Sequence, residues 1–350
     1  MSDHLSISSI AREAHVSVTT VSRVFRNSGY VSEETRRRVL LAAEKYHYQP
    51  KQYKQRSSRS AANAIVGVIV ADLQNVFFLE IINNLSRVLS EQGINVVVCD
   101  SGESTQQEIR CLNMLHRQHV DGIIISPVSE TAEYNTEFLT SIDQSGVPII
   151  LIDRDLKGVS LDGVFQNNYN GSVKAMDALI ASGHRNIAIV SGPTTSKPGL
   201  DRLNGYLDTL KQNKIPMRND YILYGDFKKE SGYQLTCDLL RRNPEVTAVF
   251  CANNMMAIGA IRAIHHAHLS IPDDIALISY GSLDNFDLYQ DSFLSELDLP
   301  SGIMGIECGK MMLERLQSKQ KKGNRFSKRI TFDARLILKG SEAFPQNRQR

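Results

Sequence analysis

Short apolar runs recur along most of this chain at intervals that suit one strand plus one helix, and this rhythm limits the fold more than any single motif. From Ile65 the runs IVGVIVA, NVVVCD, GIIIS and PIILID begin at positions 65, 95, 122 and 148, which are 26–30 residues apart. After a break around Lys157 to Gly163 the rhythm resumes with NIAIVSG, YILYGDF, AVFCAN and IALISYG from positions 186, 221, 248 and 275. Runs that are apolar on both faces and separated by amphipathic stretches predict buried parallel strands joined by crossover helices. In the first intervening stretch Phe78, Ile81, Ile82, Leu85, Val88 and Leu89 fall on one helical stripe, and Gly93 ends it. After Leu294 the order changes to a strand in FLSELDL, a helix from about Gly302 to Leu316, a lysine-rich loop and a last strand, ITFDARLIL.

The expected core is therefore α/β, two doubly wound parallel-sheet lobes with a ligand cleft at the C-terminal strand ends. Its expected extent is 64–340, with a first lobe of about 64–162 plus 296–326, a second of about 163–295 plus 327–340, and a tail at 341–350.

The first 60 residues are different in kind. They hold 11 Lys and Arg against five Asp and Glu, a net charge of +6, whereas the remaining 290 residues hold 29 basic and 33 acidic side chains, a net of −4. A small basic head on a mildly acidic body suits contact with a polyanion. The head, 1–50, reads as three short helices: one from Ser8 to Ala14 capped by Ser6, a second in VTTVSRVFR capped by Ser17, and a third opened by Ser32. Val21, Val24 and Phe25 face inward on the second, and Val39, Leu40, Ala43 and Tyr46 continue an apolar face on the third. A short turn between the first two helices is the geometry that lays the second in a DNA major groove. The five cysteines include no C-x-x-C pair, no apolar run approaches the ~18 residues that span a bilayer, and no charged-then-apolar leader begins the chain. Reduced thiols, a cytoplasmic location and no membrane association are expected.

The string VSVTTVSRVF closely resembles the signature of the lactose/galactose repressor (LacI/GalR) family of bacterial transcriptional regulators. It is followed at family spacing by VSEETRRRVLLAAEKYHYQP, and the resemblance continues through VDGIIIS, GHRNIAIVSGP, DRLNGY and NNMMAIGA over nearly the whole chain. It implies an N-terminal helix-turn-helix domain, a hinge at 51–63, and a periplasmic-binding-protein-like core that forms a homodimer and binds a small effector. The partners implied are double-stranded operator DNA and a sugar, sugar phosphate or sugar acid. The dimer surface is expected on the first lobe, near Phe78 to Leu89 and Leu112 to His116.

By the resemblance, Val18, Thr19 and Arg23 read bases. Arg23 can bond guanine O6 and N7 together, and the methyl groups of Val18 and Thr19 can meet thymine methyls. Ser6, Ser17, Arg26, Ser32 and Thr35 are assigned to phosphates. His15 stands at a turn position where the family usually has Gly. In the hinge, Lys54 and Ser57 occupy the positions of the small and wedging apolar residues of relatives, so Lys51, Lys54, Arg56 and Arg59, with Arg38, track phosphates or a narrow minor groove, or else form a solvated linker. For the effector, the resemblance implies Asp72, Asn75, Phe77, Phe78, Asp153, Arg154, Arg202, Phe227, Asn253 and the position of Gly281. Three of the family's polar groups are replaced here by Gly281, Asn254 and Leu299. A cleft short of carboxylates leaves Arg154 and Arg202 to pair with an anion, while a neutral sugar stays as the other reading.

Two rival classes fit less well. No nucleophile elbow, phosphate-binding glycine loop or H-E-x-x-H pair occurs, so neither enzyme activity nor a cofactor or metal is expected. His265, His266 and His268 read as a helix end that favours the dipole. A solute-binding transport protein would share the core but lack the basic head. Ligand closure of the lobes would change the spacing of paired heads on a near-palindromic operator, with either sign of coupling allowed. The tail carries no leucine heptad to build a tetramer.

Overall fold

The computed structural model describes residues 7–26, 31–45, 64–130, 133–283, 294–318 and 326–348. The chain divides into two compact units, residues 1–60 and 61–350.

In the first unit α1 (Ile7–Glu13), α2 (Val18–Arg26) and α3 (Glu33–Lys45) pack through a small core. It is built from Ile10, Ala14, Val21, Val24, Val39, Ala42 and Ala43. α1 ends because His15 takes left-handed backbone (φ 51), letting Val16 N–H reach the Ala11 carbonyl at 2.9 Å. Ser17 Oγ then accepts the Thr20 N–H (3.1 Å) and Ser32 Oγ the Thr35 N–H (3.3 Å), so both serines cap the helices they precede. One expectation fails on α3: Leu40 is 50% exposed and Leu41 55% exposed. Positions 39, 42 and 43 form the inward stripe, and the interior of so small a bundle is filled there by one valine and two alanines. Tyr46 and the hinge, 51–63, lie outside the described residues.

The second unit contains two six-stranded sheets. In the first, the order is β11 (Arg329–Phe332), β5 (Asp162–Gln166), β4 (Ile149–Asp153), β3 (Gly122–Ile125), β1 (Ile65–Val70) and β2 (Asn95–Asp100), all parallel. In the second, β12 (Arg335–Ile337) pairs antiparallel with β10 (Ser295–Asp298), followed in parallel by β9 (Ala276–Tyr280), β8 (Ala248–Cys251), β6 (Ile187–Ser191) and β7 (Ile222–Tyr224). α4 (Val76–Ser90) buries Phe78, Ile81, Ile82, Leu85 and Leu89 as its spacing predicts. Its partner is α11 (Ser301–Gln317), whose Met304, Cys308, Met311 and Met312 complete the same core cluster.

The lobe boundaries differ from those expected. Residues 163–166 and 329–332 belong to the first sheet, and 296–298 to the second. DGVFQ carries little apolar signal, yet all five residues are buried because Arg315 and the Lys328 N–H satisfy the Asp162 carboxylate. ITFDARLIL is not one strand: it serves β11, turns at Asp333 and Ala334, and then serves β12 in the other sheet. The last residues are no loose tail either. Ser341 Oγ donates to the Leu277 carbonyl at 2.5 Å, the Glu342 carbonyl meets His184 Nε2 at 3.1 Å, and Phe344 stacks on the His184 ring. Cys99, Cys111, Cys251 and Cys308 are buried free thiols, with Cys237 half-buried.

Candidate functional site

Two surfaces of the chain carry the expected chemistry. On the basic unit, the first turn of α2 presents Val18, which is 44% exposed, beside exposed Ser17 and Thr19. The turn has no acidic residue, so the helix N-terminus is open to a phosphate. Ser32 and Thr35 sit together at the start of α3, Ser32 Oγ donating to Thr35 Oγ1 (2.9 Å), and Arg38 reaches the same hydroxyl. Arg23 and Arg26 fall in α2, with side chains outside the described portion; Ser6, Lys54 and Ser57 lie outside the described residues.

The second surface is a cleft between the two lobes enclosing about 450 Å³ of atom-free space, part of it open to solvent. Nine of the ten residues expected for the effector line it: Asp72, Asn75, Phe77, Phe78, Asp153, Arg154, Arg202, Phe227 and Asn253. They arrive there because the loops after parallel strands all leave at the same sheet edge. Gly281 does not line it. With φ 104 and no side chain it sits behind the wall, where a Cβ would touch Asn254 and Leu299 at 3.4 Å.

From the first lobe, Asn75 caps α4, its Oδ1 accepting the Phe77 N–H (3.1 Å) and also an amide hydrogen of Asn254 (3.3 Å) from the opposite lobe. Phe77 and Phe78 meet edge to face at 5.1 Å. Asp72 holds its own turn through the Gln74 N–H (2.8 Å), and burial raises its carboxyl above the usual carboxylate range. Asp153 ends β4 in left-handed backbone, φ 64, and accepts from Gln166 Nε2 at 3.2 Å; burial raises its pKa against the opposing pull of Arg154 and Arg202. From the second lobe, Arg202 on α8 (Lys197–Gln212) lies flat over the Tyr280 ring at 3.7 Å. Its Nε donates to Asn168 Oδ1 (2.9 Å) and its Nη1 to the Ala252 carbonyl (2.6 Å), while burial lowers its pKa. Asn253 caps α10 (Asn254–His266) through the Met256 N–H (2.8 Å) and donates to the Phe227 carbonyl (2.9 Å). Phe227, also left-handed at φ 68, lays its ring against Gly192 and 5.6 Å from the Arg154 guanidinium.

Four lining residues were not assigned to the effector from sequence: Glu103, Asn254, Tyr280 and Leu299. Asn254 and Leu299 stand where the family has polar groups of its own. Each of the four stands at the C-terminal end of a strand or in the loop or helix start after it, which is the positional signal that could have found them. Glu103 alters the chemistry most. Its carboxylate grips Arg154 with both oxygens, Oε2 to Nη1 at 2.8 Å and Oε1 to Nη2 at 2.6 Å. Burial works against the Arg154 charge, but these bonds and the nearby carboxylates of Asp153 and Glu108 outweigh it and raise the guanidinium pKa. Arg154 Nε and the buried Tyr280 hydroxyl make no hydrogen bond, although Nε lies 3.8 Å from Asp153 Oδ2.

A profile described as "Periplasmic binding proteins and sugar binding domain of LacI family" matches residues 63–337, and one for "Bacterial regulatory proteins, lacI family" matches 6–51. The chain belongs to the LacI family of bacterial regulators. It is a DNA-binding transcriptional repressor with a helix-turn-helix head and a sugar-binding core domain. Over 339 residues it is 29% identical to the HTH-type transcriptional repressor PurR of Klebsiella pneumoniae subsp. pneumoniae, covering 96% of each chain. Among solved structures it resembles the transcriptional regulator CelR in its cellobiose complex (TM-score 0.70, 26% identity, 96% and 99% of the two chains). It likewise resembles a LacI family regulator of Enterococcus faecium with bound ribose (TM-score 0.69, 26% identity, 80% and 98%). Among the described residues no helix is long and apolar enough to cross a membrane, and no cluster of His, Cys, Asp and Glu could hold a metal ion.

Proposed function

We propose that this repressor controls a carbohydrate-utilisation operon, that its cleft takes a neutral sugar, and that the ten residues assigned to DNA contact the operator. The observation that carries the neutral-ligand reading is the closed Glu103–Arg154 pair. Two cations free to hold an anion are expected from sequence, but both Nη groups of Arg154 are bonded to Glu103, and Arg202, over the Tyr280 ring, has Nε on Asn168 and Nη1 on Ala252 and keeps only Nη2 for a ligand. The charged groups lining the cleft are then Asp72, Glu103 and Asp153 against Arg154 and Arg202, an environment that opposes a phosphate or carboxylate.

The remaining polar lining, Asn75, Asn253, Asn254 and Tyr280, is uncharged and suits hydroxyl groups. The aromatic edge of Phe77 and Phe78 suits the apolar face of a sugar ring. The cellobiose and ribose held by two structural relatives belong to this ligand class.

The test is calorimetric titration and thermal shift of the full chain with matched pairs, cellobiose and ribose beside their phosphates, extended to other sugars. A ligand at 100 times its Kd adds about 2.7 kcal/mol of stability. Stabilisation by a free sugar is expected. Stabilisation by the phosphorylated partner alone would overturn the neutral-ligand reading.

A further inference from the structure

We infer that Glu103 is the specificity determinant that makes this cleft refuse anions, by occupying the fork of Arg154 that a phosphate or carboxylate would otherwise take. This rests on the neutral-ligand reading above and assigns the residue responsible for it.

Three independent features point to Glu103. The first is the pair itself: it is bidentate, with side chains only 5% and 16% exposed, and Arg154 Nη1 has the Pro127 and Val128 carbonyls at 3.5 Å on its other side. A guanidinium fork matches a carboxylate and a phosphate in the same way, so Glu103 presents Arg154 with the geometry that an anionic ligand would offer.

The second feature is the backbone. Glu103 follows Gly102 (φ 57) and is itself left-handed (φ 61), in a turn held by Glu103 N–H to the Ala71 carbonyl (2.9 Å) and Gly102 N–H to Asp100 Oδ1 (2.8 Å). Such a turn suits Gly or Asn better than Glu. What Glu adds is reach: a carboxylate delivered to Arg154, 51 positions further along the chain.

The third is the surroundings of Arg154 on every side. Asp153 flanks it at Nε, Phe227 faces it from the opposite lobe, and Glu108 lies behind it. Glu108 is engaged with the Val128 N–H at 2.6 Å and is held toward its neutral form by burial, so Glu103 supplies the ionic partner. Without the Glu103 charge, Arg154 becomes the cation in the cleft wall whose fork is open. Arg202 offers no open pair of nitrogens, because Nε and Nη1 already donate to Asn168 and Ala252 and only Nη2 is left.

The experiment uses the full chain and inorganic phosphate as the probe, titrated calorimetrically against chloride at matched ionic strength. The variants are Glu103→Gln, Glu103→Asn, which suits the left-handed backbone, and the double variant Glu103→Gln with Arg154→Gln. The wild-type cleft should give no saturable phosphate binding. Either single variant should bind phosphate at least about tenfold more tightly than wild type, with a matching rise in Tm, and the double variant should lose that gain. Equal phosphate binding by wild type and both single variants overturns the assignment, as does a gain that persists without Arg154, which would belong to another cation of the cleft such as Arg202. Failure of both single variants to fold overturns it too, making Glu103 structural. The two readings fail separately. A wild-type chain that binds only the phosphorylated sugars sinks the neutral ligand, whereas a wild type that refuses phosphate beside variants that also refuse it sinks Glu103 alone.

Discussion

Three residues of the cleft wall, Glu103, Asp153 and Phe227, hold left-handed backbone without being glycine. Each such residue stores about 1–3 kcal/mol, and strain of this kind gathers where side chains must be aimed. A buried carboxyl beside the ion pair that two of these turns border sets a pH response. Glu108 is fully buried beneath Arg154, and burial pushes its carboxyl up to about 7 from an ordinary 4.5. Between those values the folded state holds a proton that the unfolded chain has lost, so the contribution is complete below pH 4.5 and disappears as pH rises through about 7. Glu108→Gln should therefore flatten the fall in stability over that window, by up to ~3 kcal/mol at the upper end, in urea titrations run from pH 5 to 8. An unchanged slope would show that Glu108 is already ionised in the fold. Most cleft residues could be named from sequence through the family resemblance, and many of them follow an apolar run at a strand end. Glu103 stands after such a run too, but its role could not be read, because it lies in a partner that is distant along the chain.

Helices α10 and α9 (Lys229–Arg242) approach backbone to backbone, and their contact is made by two glycines. A Cβ on Gly259 would collide with the Lys229 carbonyl and the Tyr233 amide, and one on Gly232 with the backbone of Met256. Gly259→Ala, ordinarily a favourable change inside a helix, should instead destabilise the chain by ~2 kcal/mol or more, read as a lower Tm in thermal unfolding. A Tm equal to or above wild type would mean that the helices separate without loss. Elements with a strong period, such as α4, were legible along the chain because burial of one face repeats every turn. β5 was not, since its Asp162 becomes tolerable inside through distant groups such as Arg315 and Lys328. The exposed Leu40 of α3 was misread for the complementary reason: an apolar residue beside the inward stripe looks like part of it.

Across the whole molecule, two lobes are stitched by three chain crossings, after β5, after β10 and between β11 and β12. They also touch across the cleft, where Asn254 Nδ2 reaches Asn75 Oδ1 at 3.3 Å and Glu130 N–H reaches the Thr195 carbonyl at 3.4 Å. A ligand held between lobes favours the closed arrangement by its differential affinity for it. Removing one closing hydrogen bond, worth about 1 kcal/mol, should therefore cost about fivefold in affinity. Asn254→Ala should weaken binding of whichever sugar the paired titrations identify by that factor, and tighter binding would mean that the contact holds the cleft against the ligand. The sequence alone determined the two α/β lobes and the helix-turn-helix head, because periodicity is read along the chain, and its resemblance to a known family supplied most of the residues around the cleft. Only the tertiary structure decided which sheet receives β5, β10 and β11, that residues 341–348 dock on the second lobe, and that Glu103 closes the fork of Arg154. Strand pairing and ion pairing depend on distance through space, and residues 51 or more positions apart carry no local pattern that records it.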